Sequence, residues 1–559
     1  MDLIITEINS NIEKYNATIQ YSTLSDYFDH LHSLNFKFPV MRGLDFEFGW
    51  PKSIPQGTTG NTSVQYQTGA PASRASHKQN IRKTAALTRA AQSAHAMAFA
   101  RNFVNSSRAS DFMVAWDANG VCSHHDSTPG TARSTVTAIL CPSVLPAING
   151  IDACQRCGDD PDCQVIEDYT ARLDEAQQAI SQLLIDSIQA VSGSATPPSL
   201  IPTPTVVQQY LLYNPLPHDR TELVHIAFTR PSGILTSPTV RDMSSGATIL
   251  AQLEANDTTL TQAPNLLNPY SNVVCFMAPI PAFGFSTFTI EFNPTQNSTT
   301  TVYPSIVFGA VTLANYNIKV LFDNVTNLMT SVINLIDNLQ MDVSQTYWNY
   351  VDGQGGAYCL IEQAPAVPIP LPYNVITVSG KKKFDSFFIS HVAFSLFHPP
   401  PPLLFYFILL LLLLKMIILG PVFQEVTQTY AYGLGLQQRI RLCTTATVVE
   451  IDHAIGVLPG GREIISRLST DLQTGPHLFT DASGFKELQD RVLNVSGPIA
   501  QNYHPFVQTA VLTEASGTSN GVRELALLTR RTMGVASLTE GQVEYMLLRR
   551  LQQASDFQG

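Results

Sequence analysis

Apolar positions along the 559-residue chain follow three regimes. Over residues 1–75 short apolar runs alternate with Pro and Gly, as in QYSTLSDYF, NFKFPVMRGLDFEFGWP and QYQTGAPASRAS. Neither the helical nor the strand period is sustained there, so this part reads as the tail of a domain. From His77 to about Val104 the composition turns Ala-rich and helix-favouring, and a second helical stretch runs from about Val165 to Val191. In the second stretch Ile166, Tyr169, Leu173, Ala176, Ile180 and Leu183 recur at three- and four-residue steps, a stripe suited to bundle packing. With a further helix expected around Ser134–Leu140, residues 76–195 read as a small helical bundle. A Pro-rich linker at 196–204, within SATPPSLIPTPT, precedes a long series of strand-like runs. YLLYNPL, LVHIAFT, STFTIEF, YNIKVLF, VTQTYAYG, QRIRLCTTATVVEID and EYMLLRRL are spaced by Asn, Gly, Pro and Asp, which predicts a large antiparallel β-sandwich region over 205–559.

Composition agrees with a β-rich chain and narrows its partners. Charged residues are 14% of the total, against roughly 25% in ordinary soluble domains. The formal charge of −11 and the lack of a basic stripe beyond Lys381–Lys383 exclude nucleic acid as a partner. Of the 8 cysteines, Cys154, Cys157 and Cys163 crowd into DACQRCGDDPDC. That cluster reads as a disulfide loop or as half of a zinc site, and no second cysteine pair follows to complete a zinc ribbon. Asn-x-Ser/Thr acceptors at Asn16, Asn61, Asn105, Asn256, Asn297, Asn324 and Asn494 point toward a glycoprotein of the secretory route. The N-terminus has no basic segment and no apolar core of a signal peptide, so either the chain is not secreted or its beginning is missing.

The densest chemistry is VCSHHDSTPGT at 121–131. Imidazole and carboxylate are common zinc ligands, so this cluster is a candidate metal site. If it lay on a helix, successive side chains would point about 100° apart, and His124 and His125 would not readily share one ion. The alternative is a capping and solvation feature at a helix start.

The same segment resembles the HHD-A-x-x-GT signature of glycoside hydrolase family 38, the α-mannosidases of lysosome and Golgi. Other elements of that family follow in order: YSTLSDYF, LDFEF and YQTGAPASRASHKQNIR upstream, then YLLYNPL, PIPAFGFSTF, GGAYCLIE, GPVFQEV, EIISRLST, FTDASGF, NYHPF and TRRTMGVASLTEGQVEYMLLRRL downstream. The resemblance, nearest to the lysosomal type, implies the C-terminal two-thirds of such an enzyme: a multidomain α+β chain with the end of an α/β catalytic domain, a helical bundle and a β-sandwich region. It implies zinc as cofactor with His125 as ligand, His124, Asp126 and Tyr358 as sugar contacts, and Asp45 as candidate general acid. Tyr358 as a strand residue and Asp45 as a turn residue are the plain alternatives. The family's reaction is retaining hydrolysis of terminal α-mannosyl residues, with two carboxyl groups about 5–5.5 Å apart. The nucleophile and the remaining zinc ligands belong to a preceding domain, so the chain as written is expected to be inactive. Mannose-containing oligosaccharides are the implied partners, self-association is left open, and a lysosomal or secretory location is implied.

Lys381–Gly420 breaks the strand pattern with an apolar run from Leu403 to Leu414 before Lys415. Twelve residues do not span a bilayer, and even Leu403–Leu419 only reaches the ~17-residue minimum. The residue types suit pyrimidine-rich codons flanked by splice-like junctions, so a retained intron is the favoured reading, against a membrane segment or a genuine insertion. Two further functional readings stand beside the enzyme: a non-catalytic carbohydrate-binding remnant and a membrane-anchored protein.

Overall fold

A computed structural model describes residues 2–38, 49–51, 64–104, 108–131, 161–193, 207–227, 239–255, 272–291, 299–302, 305–307, 310–351, 359–360, 362, 365–372, 415–419, 421–430, 435–456, 458–481, 488–514 and 522–550. The chain divides into two compact units, Met1–Phe46 and Glu47–Gly559. In the first, where the sequence pattern suggested no sustained period, three helices form: α1 (Asp2–Ser10), α2 (Ile12–Tyr15) and α3 (Leu24–Ser33). The reason is local. Thr23 and Asp26 make a capping box, with Asp26 N donating to Thr23 Oγ1 at 3.1 Å and Thr23 N donating to Asp26 Oδ2 at 3.0 Å. The Asn9 side chain brackets Ile19, donating to its carbonyl at 2.7 Å and accepting from its amide at 2.8 Å.

The second unit begins its helices with α4 (Ala75–Ala100), α5 (Ala109–Cys122) and α6 (Pro161–Ser192). Their shared core holds Ala91, Phe112, Ala115, Ala118, Ala176, Ile180 and Leu183, and the many alanines let the helices approach closely. The expected stripe on α6 holds from Leu173 through Leu183, but Ile166 is exposed and Val165 is buried in its place. The helix expected at Ser134–Leu140, and the Cys154 and Cys157 positions, lie outside the described residues.

β-structure makes up the rest. A sheet of strands Val207–Tyr213, Phe285–Glu291, Thr239–Asp242 and Thr248–Ile249 faces one of strands Thr299–Val302, Ala251–Ala255, Asn272–Ile280 and Arg220–Ala227. Val240, Leu253, Val274, Phe276, Phe288 and Ile290 fill the space between them. A larger sheet of 9 strands is centred on Leu339–Val351, Arg462–Thr470 and Gln542–Arg550. Along Leu339–Val351 every second residue from Val343 to Asn349 is buried, the period-two pattern of a half-buried strand. Strands Phe423–Tyr430, Leu436–Cys443 and Glu450–Ile455 belong to a separate 5-stranded sheet. Its Val426, Tyr430, Leu436 and Ile440 share a core with Val320, Tyr347 and Ile464 of the larger sheet.

Of the apolar interruption at Lys381–Gly420, residues 381–414 and 420 lie outside the described residues, while Lys415–Leu419 is a strand paired on both sides. Ile417 stands opposite Val426 in Phe423–Tyr430 and opposite Ser305 in Ser305–Val307. These residues therefore contribute a strand to the 5-stranded sheet. Among the described residues no helix is long and apolar enough to cross a membrane.

Candidate metal and sugar site

α5 stops at Cys122, and Ser123 closes it with near-helical dihedrals. The chain then folds into tight turns rather than another helix: Ser127 N and Thr128 N both donate to His124 O, at 2.9 and 3.0 Å, and Thr131 N donates to Asp126 O at 2.9 Å. Pro129 cannot continue a helix, and Gly130 takes φ +84°, a conformation that disfavours side chains with a Cβ. The His-His-Asp motif thus follows a helix end, unlike the helix start of the capping alternative.

This corrects the angular argument against joint ligation. In successive turn residues the side chains need not diverge as on a helix, and one ligand atom each from His124, His125 and Asp126 falls within 4.8 Å of the others. The two imidazole centroids are 4.1 Å apart. His124 Nε2 lies 3.1 Å and His125 Nε2 3.8 Å from Asp126 Oδ2. Asp126 Oδ1 accepts from the Thr131 hydroxyl at 2.8 Å, which fixes the carboxylate so that its other oxygen faces the rings. Zinc bond lengths of 2.0–2.1 Å in a tetrahedron place ligand atoms about 3.3 Å apart, a spacing bracketed by the two Asp126 separations, with the three atoms together spanning up to 4.8 Å. The donor set of two nitrogens and one carboxylate oxygen also suits zinc. The side chains are 47%, 79% and 35% exposed, so the cluster is open to an incoming ion or ligand.

Behind the cluster stand two residues that the motif reading passed over. His77 and Lys78 lie in the first turn of α4. His77 Nε2 is 2.9 Å from Ser127 Oγ, and burial, with Arg74 and Lys78 nearby, pushes the imidazole down to about 4, so it is neutral in ordinary buffers. Lys78 Nζ donates to the carbonyls of Thr128 at 2.6 Å and Ala70 at 3.0 Å, and also to that of Ser73. Burial, then the Arg531 and Arg74 charges, push this ammonium down to about 7. Cys122, just before the motif, is buried and its thiol is pushed up to about 12, so it remains a protonated packing residue. A Lys or His next to a motif matched by a whole-segment pattern is the only sequence signal that could have flagged the pair.

Asp45 and Tyr358 lie outside the described residues. Next to Tyr358, Cys359 is buried, and its carbonyl accepts from Arg549 Nη2 at 2.7 Å. Glu362 in the same segment accepts from Ile499 N at 3.2 Å. The 64–72 segment reaches this region too, through Thr68 Oγ1 donating to Ala500 O at 3.0 Å.

Comparison with known proteins carries the argument further. Residues 415–556 match the model of the glycosyl hydrolases family 38 C-terminal domain. The chain is similar to the lysosomal alpha-mannosidase of Homo sapiens, 25% identical over 366 residues that cover 61% of this chain and 30% of the relative. It is similar also to the lysosomal alpha-mannosidase of Dictyostelium discoideum, 23% identical with 98% of this chain and 50% of the relative covered. The human epididymis-specific alpha-mannosidase is 24% identical over 99% of this chain and 49% of the relative. The chain therefore spans about half the length, or less, of these relatives, short of the two-thirds inferred from motifs. Among solved structures, an alpha-mannosidase from Enterococcus faecalis superposes with a TM-score of 0.55 at 11% identity, covering 98% of this chain and 58% of that one. That likeness is one of fold. Residues 415–556 are thus similar to the family 38 C-terminal domain, and the chain is a distant relative of proteins named alpha-mannosidases.

Proposed function

We propose that the chain is the C-terminal part of a zinc-dependent retaining glycoside hydrolase that removes terminal α-mannosyl residues from N-glycans. The observation that carries this reading is the gathering of His124, His125 and Asp126 ligand atoms within 4.8 Å in a chain whose relatives are named alpha-mannosidases. In the reading His125 holds zinc, and His124 and Asp126 face the sugar hydroxyls. Asp126 is held for that task by Thr131, and the neutral His77 leaves the neighbourhood without an added positive charge. When bound, zinc would hold two hydroxyls of the mannose and assist its distortion toward an oxocarbenium-like geometry. Tyr358 as a sugar contact and Asp45 as general acid belong to the same proposal, as do a glycosylated chain and a lysosomal or secretory location.

Residues 1–559 taken alone are proposed to bind zinc and mannose without turning substrate over, because they span half or less of the length of the alpha-mannosidases they match. The test measures zinc content of the purified chain and of His125→Ala, then mannose binding by calorimetry and release of nitrophenol from an aryl α-mannoside. Zinc binding lost in His125→Ala, with zinc-dependent mannose binding, is expected. A chain that takes up no zinc, or takes it up equally without His125, sinks the assignment of the cluster. Nitrophenol release by the 559-residue chain would overturn the expected inactivity and call for a nucleophile inside it.

A further inference from the structure

We propose that Lys78, with His77 beside it, is a positioning residue for the His124–Asp126 cluster, acting through the 127–128 main chain. The inference rests on reading that cluster as the metal and sugar site. An ammonium has three N–H groups and no acceptor, and here all three are met by carbonyl oxygens: Ala70 at 3.0 Å, Ser73, and Thr128 at 2.6 Å. Ala70 and Ser73 belong to the turn just before α4. Thr128 belongs to the turn that carries the cluster. One side chain therefore ties the two turns together.

The first of these turns is itself fixed. Ala72 is fully buried in a core with Tyr350, Ile465, Tyr503 and Met546 of the large sheet and its surroundings. Gly69 lies so close to Arg549 that a Cβ there would fall 1.7 Å from Nη1. The cluster turn, by contrast, is exposed at His124 and His125 and follows the end of α5. Its inner side is held at two adjacent residues, Ser127 by His77 and Thr128 by Lys78. The exposed donors are therefore referenced to the large sheet through a short path: Ala72 and Gly69, then Lys78, then Thr128. Two carbonyls on its own side would be enough to anchor the α4 start, and the third is the one that acts on the site. Lysine suits the position because three acceptors converge on one point, whereas a guanidinium spreads its donors in a plane.

Amide hydrogen exchange of the 122–131 segment in the full chain tests this. Lys78→Met is compared with Arg82→Met, which removes a cation–carbonyl contact to Val507 from the same helix without touching the cluster turn. Lys78→Met should speed exchange at 122–131 at least about tenfold, the opening expected when hydrogen bonds from a charged group are lost, and Arg82→Met should leave that segment unchanged. Should Lys78→Met fail to fold, Lys78→Arg keeps the charge and loses the convergence, and the same segment-limited rise is expected. Wild-type exchange in the variant that folds, or an equal rise in Arg82→Met, overturns the proposal. Zinc titration of the same proteins should show affinity falling about tenfold with Lys78→Met, in line with losses of supporting contacts around metal ligands. A wild-type chain that binds no zinc, with the exchange difference intact, removes the metal reading and leaves the positioning role standing.

Discussion

Asp126 gives one carboxylate oxygen to the Thr131 hydroxyl, 2.8 Å away, and turns the other toward His124 and His125. A carboxylate held in this way is oriented before a sugar arrives. Thr131→Val keeps the shape of the side chain and removes the hydroxyl, and with it one tether of the carboxylate. Mannose affinity of the zinc-loaded chain, read by calorimetry, should then fall about tenfold, while the melting temperature moves little. Gly130 governs the same turn by backbone conformation. At φ +84°, and with Arg74 Nε only 2.6 Å from where a Cβ would stand, Gly130→Ala should cost about 1–2 kcal/mol from the dihedral alone. Equilibrium denaturation would show this as a lower midpoint, and an unchanged midpoint would mean that the turn relaxes without strain.

The elements were unevenly legible. α4 announced itself by its Ala-rich, helix-favouring composition, and the Leu173–Leu183 stretch of α6 by its period, because a bundle helix must present an apolar residue every three or four positions. α3 did not, although Thr23 and Asp26 stand three apart in YSTLSDYF and form the capping box that starts it. A short helix that buries none of its apolar residues has no stripe to detect, and its cap was the better signal. At the site, the residue types of His124, His125 and Asp126 were legible, but their convergence was not. It depends on where α5 stops and on the turns closed by His124 O and Asp126 O, which side-chain spacing does not encode. The buried ion pairs were out of reach for another reason: their partners meet only through sheet register. Arg467 and Glu544 stand opposite each other in neighbouring strands, and the Glu544 side chain, 1% exposed, also accepts from Tyr350 at 2.8 Å and from Tyr503. Arg467→Met would leave that carboxylate buried beside two hydroxyls without its cation. The expected loss is about 3–5 kcal/mol, measured by denaturant unfolding. The exposed pair of Lys14 and Glu7, 3.9 Å apart, should by comparison be worth little when Lys14 is replaced by Met.

Across the whole molecule, acid is the direction in which stability is lost. His77 is buried against Ser127, and His453 sits between the hydroxyls of Tyr347 and Tyr545, at 2.5 and 3.2 Å. Burial, in each case the largest cause, pushes both imidazoles from 6.5 down to about 4. In the window between those values the unfolded chain binds a proton at each site and the folded chain does not. Unfolding therefore takes up protons there, and stability rises with pH. The contribution is fully present above about 6.5 and is lost as the pH falls toward 4, on the order of 3 kcal/mol for each histidine. Glu514, held below its ordinary range by Arg523, adds to the same trend at lower pH. A melting temperature that falls steadily from pH 7 to pH 4.5 is the expected result. His453→Gln, which retains hydrogen-bonding groups between the two tyrosines and cannot titrate, should flatten part of that slope even if it lowers stability at pH 7. If the slope is unchanged in His453→Gln, the tyrosine-flanked histidine is not one of its sources. For a chain whose relatives include lysosomal alpha-mannosidases, the consequence is specific. Work in the proposed acidic compartment would draw on a stability reserve to which three neutral histidines contribute, since burial pushes His225 down to about 4 as well, and zinc bound at the proposed 124–126 site would be expected to restore part of that reserve by favouring the folded state.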